Sequence, residues 1–217
     1  MSLPKLPNTR FADKLLDGAT TSAAVAATTI LPCGTMDGDY RVDKFEVMAS
    51  AGYTSDATNY YDIALQVAPI ALTAVAATDV ITATAHGMHT GDGVQFTTSS
   101  ALPGGITLGV VYFAVVLDAN TFKISDTAAH AIAGTNIVDI TSTGTTSFAN
   151  RVLALWSCLT GSDGTLTAVK FATGRLLGTP TGQSGDQLNV VLTKQSAAAN
   201  FPIGSVFNAH LKQITGV

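Results

Sequence analysis

Two stretches decide the fold: Tyr60-Tyr61-Asp62-Ile63-Ala64-Leu65-Gln66-Val67 and, much further along, Arg151-Val152-Leu153-Ala154-Leu155-Trp156-Ser157-Cys158-Leu159. In the first, Tyr61, Ile63, Leu65 and Val67 share one face while Asp62 and Gln66 take the other, the period of two of a half-buried strand. In the second, Val152, Ala154, Trp156 and Cys158 oppose Leu153 and Leu155, so both faces read as buried. With the intervening chain set aside, the two become consecutive strands able to pair as a hairpin. Residues 69–149 are therefore expected to be an insertion whose ends lie close together in space.

Outward from this pair, the same periodicity predicts further strands. Phe45, Val47 and Ala49 alternate with Lys44, Glu46 and Met48 over residues 40–49, after an Asp37-Gly38 turn that suits a hairpin. Residues 187–194 place Leu188, Val190 and Leu192 on one face; residues 23–31, 166–171 and 205–214 complete the set. Within 69–149, strands are expected at 73–84, 93–97, 110–117, 121–124 and 135–140. Residues 1–21 carry Pro4 and Pro7 and no strand pattern, and read as an extended N-terminal arm with one short helical turn near 11–16.

The expected fold is all-β: a β-sandwich or jelly roll over 22–68 plus 150–217, a small inserted β-domain over 69–149, and the arm over 1–21. Short strands broken by Gly- and Asp-rich turns, without long helices, lead to that class.

Composition narrows what such a fold does. Charged residues are 12% of the 217, about half of the ~25% usual in soluble chains, and mean hydropathy is +0.34. A surface so poor in charge suits contact with other subunits. The longest apolar stretch, 63–77, is interrupted by Gln66, Pro69 and Thr73. A membrane helix needs ~20 apolar residues, so no membrane partner is expected.

All of the net charge of −4 falls in residues 69–149, where Asp79, Asp92, Asp118, Asp126 and Asp139 face Lys123 as the only base. A polyanion is repelled by that balance, which argues against nucleic acid there. Met1-Ser2-Leu3-Pro4-Lys5 lacks the apolar core of a signal peptide, and Cys33 and Cys158 lie far apart in sequence. Synthesis in a reducing cytoplasm with two free, buried thiols is the expectation.

The insertion carries the most distinctive text. It runs His86-Gly87-Met88-His89-Thr90-Gly91-Asp92-Gly93-Val94, then Leu102-Pro103-Gly104-Gly105-Ile106, then Tyr112-Phe113-Ala114-Val115-Val116-Leu117-Asp118-Ala119-Asn120-Thr121-Phe122-Lys123-Ile124. This series resembles a small β-module inserted in tail, baseplate and capsid-surface proteins of tailed bacteriophages, written H-G-L-x-T-G-D-x-V, L-P-x-G-L and Y-x-V-x-x-x-D-x-N-T-F-K-L. The likeness covers about a third of the chain, with Met88 and Ile106 in place of leucines.

Chemistry-bearing residues form no convincing catalytic or metal pattern. His86 and His89, with Asp92 nearby, have ligand types but flank Gly87 in a turn, so a hydrogen-bonded structural His86 is expected and no metal. Glu46, the single glutamate, alternates beside Lys44 on a solvated face. Asp37, Asp39, Asp56, Asp92, Asp118, Asp163 and Asp186 sit in turns, which leaves no carboxylate pair for glycoside hydrolysis.

Ser157-Cys158 and the histidines His86, His89, His130 and His210 show no nucleophile order. The run Thr179 to Asp186 lacks the ending of a phosphate loop and reads as a surface loop. Trp156 reads as a core anchor, and Tyr53, Tyr60, Tyr61 and Tyr112 offer little for a sugar platform; Tyr60 and Tyr61 must point to opposite faces. No catalytic residue and no cofactor are expected.

The resemblance implies a non-enzymatic virion protein, made in the host bacterial cytoplasm and located on the capsid surface. Its implied role is auxiliary capsid decoration (cement). The implied partners are the major capsid protein and further copies of itself, with a homotrimer suggested by likeness to decoration proteins. The alternative is a tail, baseplate or receptor-binding component recognising a host surface glycan.

Overall fold

The computed structural model describes residues 13–21, 28–160 and 162–214. Its elements in chain order are β1 (Asp13–Thr20), β2 (Thr29–Thr35), β3 (Tyr40–Met48), β4 (Tyr61–Val67), β5 (Ile70–Val75), β6 (Val80–Thr82), β7 (Gly93–Ala101), β8 (Tyr112–Val116) and β9 (Thr121–Ser125). There follow a short helix α1 (Ala128–Ala133), the long strand β10 (Thr145–Ser157), then β11 (Phe171–Thr173), β12 (Arg175–Leu176), β13 (Thr181–Gly182), β14 (Gln187–Lys194) and β15 (Val206–Gln213). The fold is all-β, and every strand pairing is antiparallel.

Two sheets face each other across the main core. One runs β1-β15-β3-β11, with β13 also on β3; the other contains β2-β14-β4-β10, with β12 on β10. Alternation places Val42, Phe45 and Val47 of β3 and Phe207, Ala209 and Leu211 of β15 against Ile63 and Leu65 of β4 and Leu188, Val190 and Leu192 of β14. Each of these is 3% exposed or less, the dry interior of a β-sandwich.

Strand β10 is the pivot of the molecule. Its C-terminal half lies against β4, pairing Ser157 with Asp62 and Trp156 with Ile63, the hairpin expected once the insertion is set aside. Its N-terminal half leaves the sandwich and pairs with β5 through Ser147 to Ala149 and with β7 from Thr145 to Val152. The circuit β10-β5-β6-β9-β8-β7 then returns to β10, which closes a six-stranded barrel. Closure removes the free sheet edges that so short a set of strands would otherwise expose.

A second core fills the barrel, with Ile81, Val94, Phe96, Ala114, Phe122, Ile124 and Ile140 each at most 1% exposed. A register irregularity between Val152 and Ala154 bends β10 where it passes from barrel to sandwich, as a β-bulge does. It turns Leu153 into the sandwich core, while Val152 and Leu155 join Ala64 in a small cluster on the reverse face under Val111 and Leu177. Both faces of β10 are therefore covered, as its apolar run 152–156 implies.

Several local expectations change. Of the N-terminal arm expected over 1–21, residues 1–12 lie outside the described residues; from Asp13, in place of the helical turn expected near 11–16, β1 pairs with β15 along the sheet edge. That pairing is made by backbone groups and contains an irregularity between Leu16 and Ala19, so no alternation announces it. Most of the strand expected at 23–31 lies outside the described residues; β2 starts at Thr29.

The expected strand 73–84 is a hairpin, β5–β6, whose turn ends at Asp79 in the left-handed region (φ 57°) with its carboxylate accepting from Ile140 N at 2.9 Å. Residues 135–140 make only an isolated bridge, Ile137 to Ser125, because the preceding residues form α1, capped by Thr127 at its start and by Gly134 (φ 67°) at its end. Over 166–171, Leu166 bridges Tyr53 and pairing resumes only at Phe171.

Candidate functional site

The motif residues of the barrel are consumed in building it and in fixing it to the sandwich. His86 is 3% exposed and rests edge-on against Phe122. Its Nδ1 accepts from Met88 N at 3.0 Å, so the ring proton sits on Nε2, which donates to the Asp118 carbonyl 3.0 Å away. Both nitrogens are occupied, and His86 acts as a strut between two turns.

Asp92, 2% exposed, is the second strut. One oxygen accepts from His89 N at 2.7 Å; the other accepts from Thr179 N, also at 2.7 Å, in the sandwich loop beyond β12. The His89 ring lies outside, with Nδ1 3.6 Å from Asp92 Oδ2 and the side chain 63% exposed. Gly178 makes the approach possible: it has φ +58°, and a Cβ there would lie 2.5 Å from Asp92 Cα. Among the described residues, no three His, Cys, Asp or Glu side chains converge as a metal site would require.

Arg151, on β10, joins the two halves from within. It is 5% exposed; Nη1 donates to the Gly87 carbonyl in the barrel and Nη2 to Asp186 Oδ2 in the sandwich loop at 2.8 Å. Beside it, Gln66 donates to Gln95, Gln95 donates to the Gly109 carbonyl (2.9 Å), and Asn150 donates to Gln95 O and Thr97 Oγ1. These buried amides satisfy one another across the seam, which holds barrel and sandwich in one orientation.

The other sequence candidates are dispersed. Glu46 is on the outer face of β3, paired with Lys44 and with His210 Nε2 at 2.7 Å; those contacts, Lys44 first, hold its carboxyl below the usual range. His130 is bonded to Asp126 on the barrel at 2.5 Å. Trp156 and Tyr60 are half-buried against the sandwich core, in which Tyr61 is fully buried with Tyr53 and Phe201; Tyr60 lies just ahead of β4, so it touches the same core as Tyr61 where strand alternation predicts opposite faces. Cys158 is fully buried, and burial above all pushes its thiol up to about 12.

One polar group of residues was not foreseen as a unit. A cleft of about 360 Å³ separates the barrel loop Thr107 to Val111 from the sandwich, and Tyr60, Asp62, Ser157, Arg175 and Gln195 line its sandwich side. Asp62 and Ser157 are direct cross-strand neighbours on β4 and β10. Gln195 Nε2 donates to Asp62 Oδ2 at 3.1 Å, and Asp163 accepts from Ser157 N at 2.7 Å and from Arg175 Nε at 3.0 and 3.2 Å.

Asp62 is 9% exposed, and burial raises its carboxyl above the usual carboxylate range, with Ser157 and Gln195 pulling the other way. The sequence signal was the polar Asp62 facing away from the core on an apolar strand; its companions come from four other segments. Among known proteins, no family, no curated protein and no solved structure matches this chain.

Proposed function

We propose that this is a non-enzymatic structural protein of a tailed-phage virion, an auxiliary capsid decoration protein that binds the assembled head and stabilises it. The observation that carries the reading is the H-G-M-H-T-G-D series of residues 86–92 with the text that follows it, which resembles the phage surface module. Its most distinctive polar residues, His86 and Asp92, are spent as buried struts, a scaffolding use of the motif.

The surface supports the same role. On the sandwich, Val169, Phe171 and Ile203 stand 49–69% exposed, apolar area available to a neighbouring subunit. The barrel presents Asp118, Asp126 and Asp139 to solvent, as suits an outward-facing appendage. Many copies, each held weakly by the major capsid protein and by one another, reinforce a shell through avidity. A trimer is the proposed copy arrangement, since closed cyclic assemblies match local capsid symmetry.

The test is to mix purified protein with expanded capsids that lack it, then measure sedimentation and map occupancy by electron cryomicroscopy. Saturable density at symmetry-related capsid positions is the expected result. Absence of capsid binding, with density at the tail tip instead, overturns the decoration role in favour of a tail or baseplate component.

A further inference from the structure

The cleft between barrel and sandwich is a built feature. Its barrel wall is held by Thr107 N donating to Tyr112 Oη at 2.9 Å and by Gln95 gripping the Gly109 carbonyl. Gly109, at φ +79°, lets the loop close: a Cβ there would meet Gln195 Nε2 at 3.1 Å. Leu108 and Val110 stand on the same wall with exposures of 61% and 42%.

Its sandwich side offers unspent hydrogen-bonding capacity. Arg175 is held to Asp163 through Nε alone, which leaves both Nη groups of its fork without a partner among the described residues. The Tyr60 hydroxyl likewise bonds to no described residue, while its ring forms part of the lining. Asp62 is bonded by the side chains of Gln195 and Ser157, and a carboxylate has about four acceptor sites, so capacity remains on it.

Charge and chemistry select the ligand class. The cleft lining carries one carboxylate, Asp62, and one guanidinium, Arg175, which is itself paired with Asp163 outside the lining; this near balance selects neither an anion nor a cation. A matching ligand must donate to Asp62 and accept from Arg175 and Tyr60 within a few ångströms. Adjacent hydroxyls do both, and the C–H face of a sugar ring suits the Tyr60 ring and the apolar barrel wall.

We propose that this cleft binds a neutral saccharide, with Asp62 accepting from ring hydroxyls, Arg175 donating to them and Tyr60 packing on the ring face. The proposal is independent of capsid docking, because it is tested on the isolated protein.

The experiment titrates ¹⁵N-labelled full-length protein with methyl glycosides of glucose, galactose and mannose and with N-acetylglucosamine, using glucuronic and N-acetylneuraminic acids as charged comparisons. Saturable shifts at the amides of Tyr60, Asp62, Ser157, Arg175 and Gln195 with at least one neutral probe are expected. Arg175→Ala and Tyr60→Ala, both at incompletely buried positions, each weaken that binding about tenfold or more while the remaining spectrum stays native. The proposal is overturned by no saturable shift with any neutral probe, by binding confined to the acidic sugars, or by binding that both variants leave intact.

Discussion

Replacing Arg151 by methionine tests whether the buried guanidinium holds barrel to sandwich. The substitution keeps the apolar stem and deletes two hydrogen bonds, to the Gly87 carbonyl and to Asp186 Oδ2. Removing one partner of a buried ion pair costs about 3–5 kcal/mol. The Asp186 side chain is 25% exposed and still accepts from Gln183 N at 2.9 Å, so its penalty falls at the low end. Arg151 Nε is buried without a partner, and losing it returns about 1 kcal/mol, which the orphaned Gly87 carbonyl cancels.

The net expectation is a loss of about 3 kcal/mol. With an unfolding entropy near 2.1 cal/mol/K per residue, 217 residues give about 0.46 kcal/mol/K, so the melting midpoint falls by about 6–7 °C. Urea unfolding followed by far-ultraviolet circular dichroism and by fluorescence of Trp156, the single tryptophan, measures both the loss and its cooperativity. In the parent protein the two signals coincide; in the variant the circular dichroism, which includes the barrel strands, falls at lower urea than the fluorescence of Trp156, which reports on the sandwich. Arg151→Lys, which keeps the charge and loses the fork, recovers less than half of the deficit. A variant within about 0.5 kcal/mol of the parent, with coincident transitions, refutes the reasoning.

Three further outcomes follow from the same geometry. Asp92→Ala leaves His89 N and Thr179 N without their carboxylate and costs about 2–4 kcal/mol, measured by urea titration. In the native protein at pH 8, a thiol reagent such as dithionitrobenzoate modifies the half-buried Cys33 first and reaches Cys158 only after denaturation, since burial keeps that thiol protonated with a pKa of about 12; equal rates before unfolding contradict this. Asp62 has its folded carboxyl raised above the ordinary 3.8, so the folded state holds its proton longer than the unfolded chain does. Its contribution to stability is therefore greatest below pH 3.8 and declines as pH rises through the folded value. Subtracting the stability curve of Asp62→Asn isolates this decline, and a difference that instead grows with pH removes the burial argument.

The legible parts of this protein are those written in local periodicity. Residues 40–49 and 187–194 alternate because each strand presents one face to a single core, and β3 and β14 lie there. The apolar run 152–156 marked a strand covered on both sides, which β10 is from Arg151 to Leu155. Gly87, Gly91 and Gly93 read as positive-φ or tight-turn positions; Gly87 and Gly91 have positive φ, while Gly93 is instead the first residue of β7. α1 was missed because six residues give less than two turns of periodicity, although Thr127 and Gly134 are ordinary helix boundaries. The cleft was missed because Ser157, Arg175 and Gln195 carry no shared spacing with Tyr60 and Asp62; only tertiary pairing brings them together.

By itself, then, the chain determined an all-β fold and the structural use of His86, since each depends on residue type within a few positions; strand periodicity on either side of residues 69–149 also made β4 and β10 candidates for a hairpin, and they pair. Tertiary structure alone decided that β10 closes a barrel with β7, that Arg151 reaches both Gly87 and Asp186, and that a polar cleft opens beside Asp62. Those outcomes rest on pairings between segments dozens of residues apart, where backbone register and the bend in β10 set which side chains meet. No local pattern encodes a register between distant strands, because it is chosen by burying both cores and satisfying the seam at once.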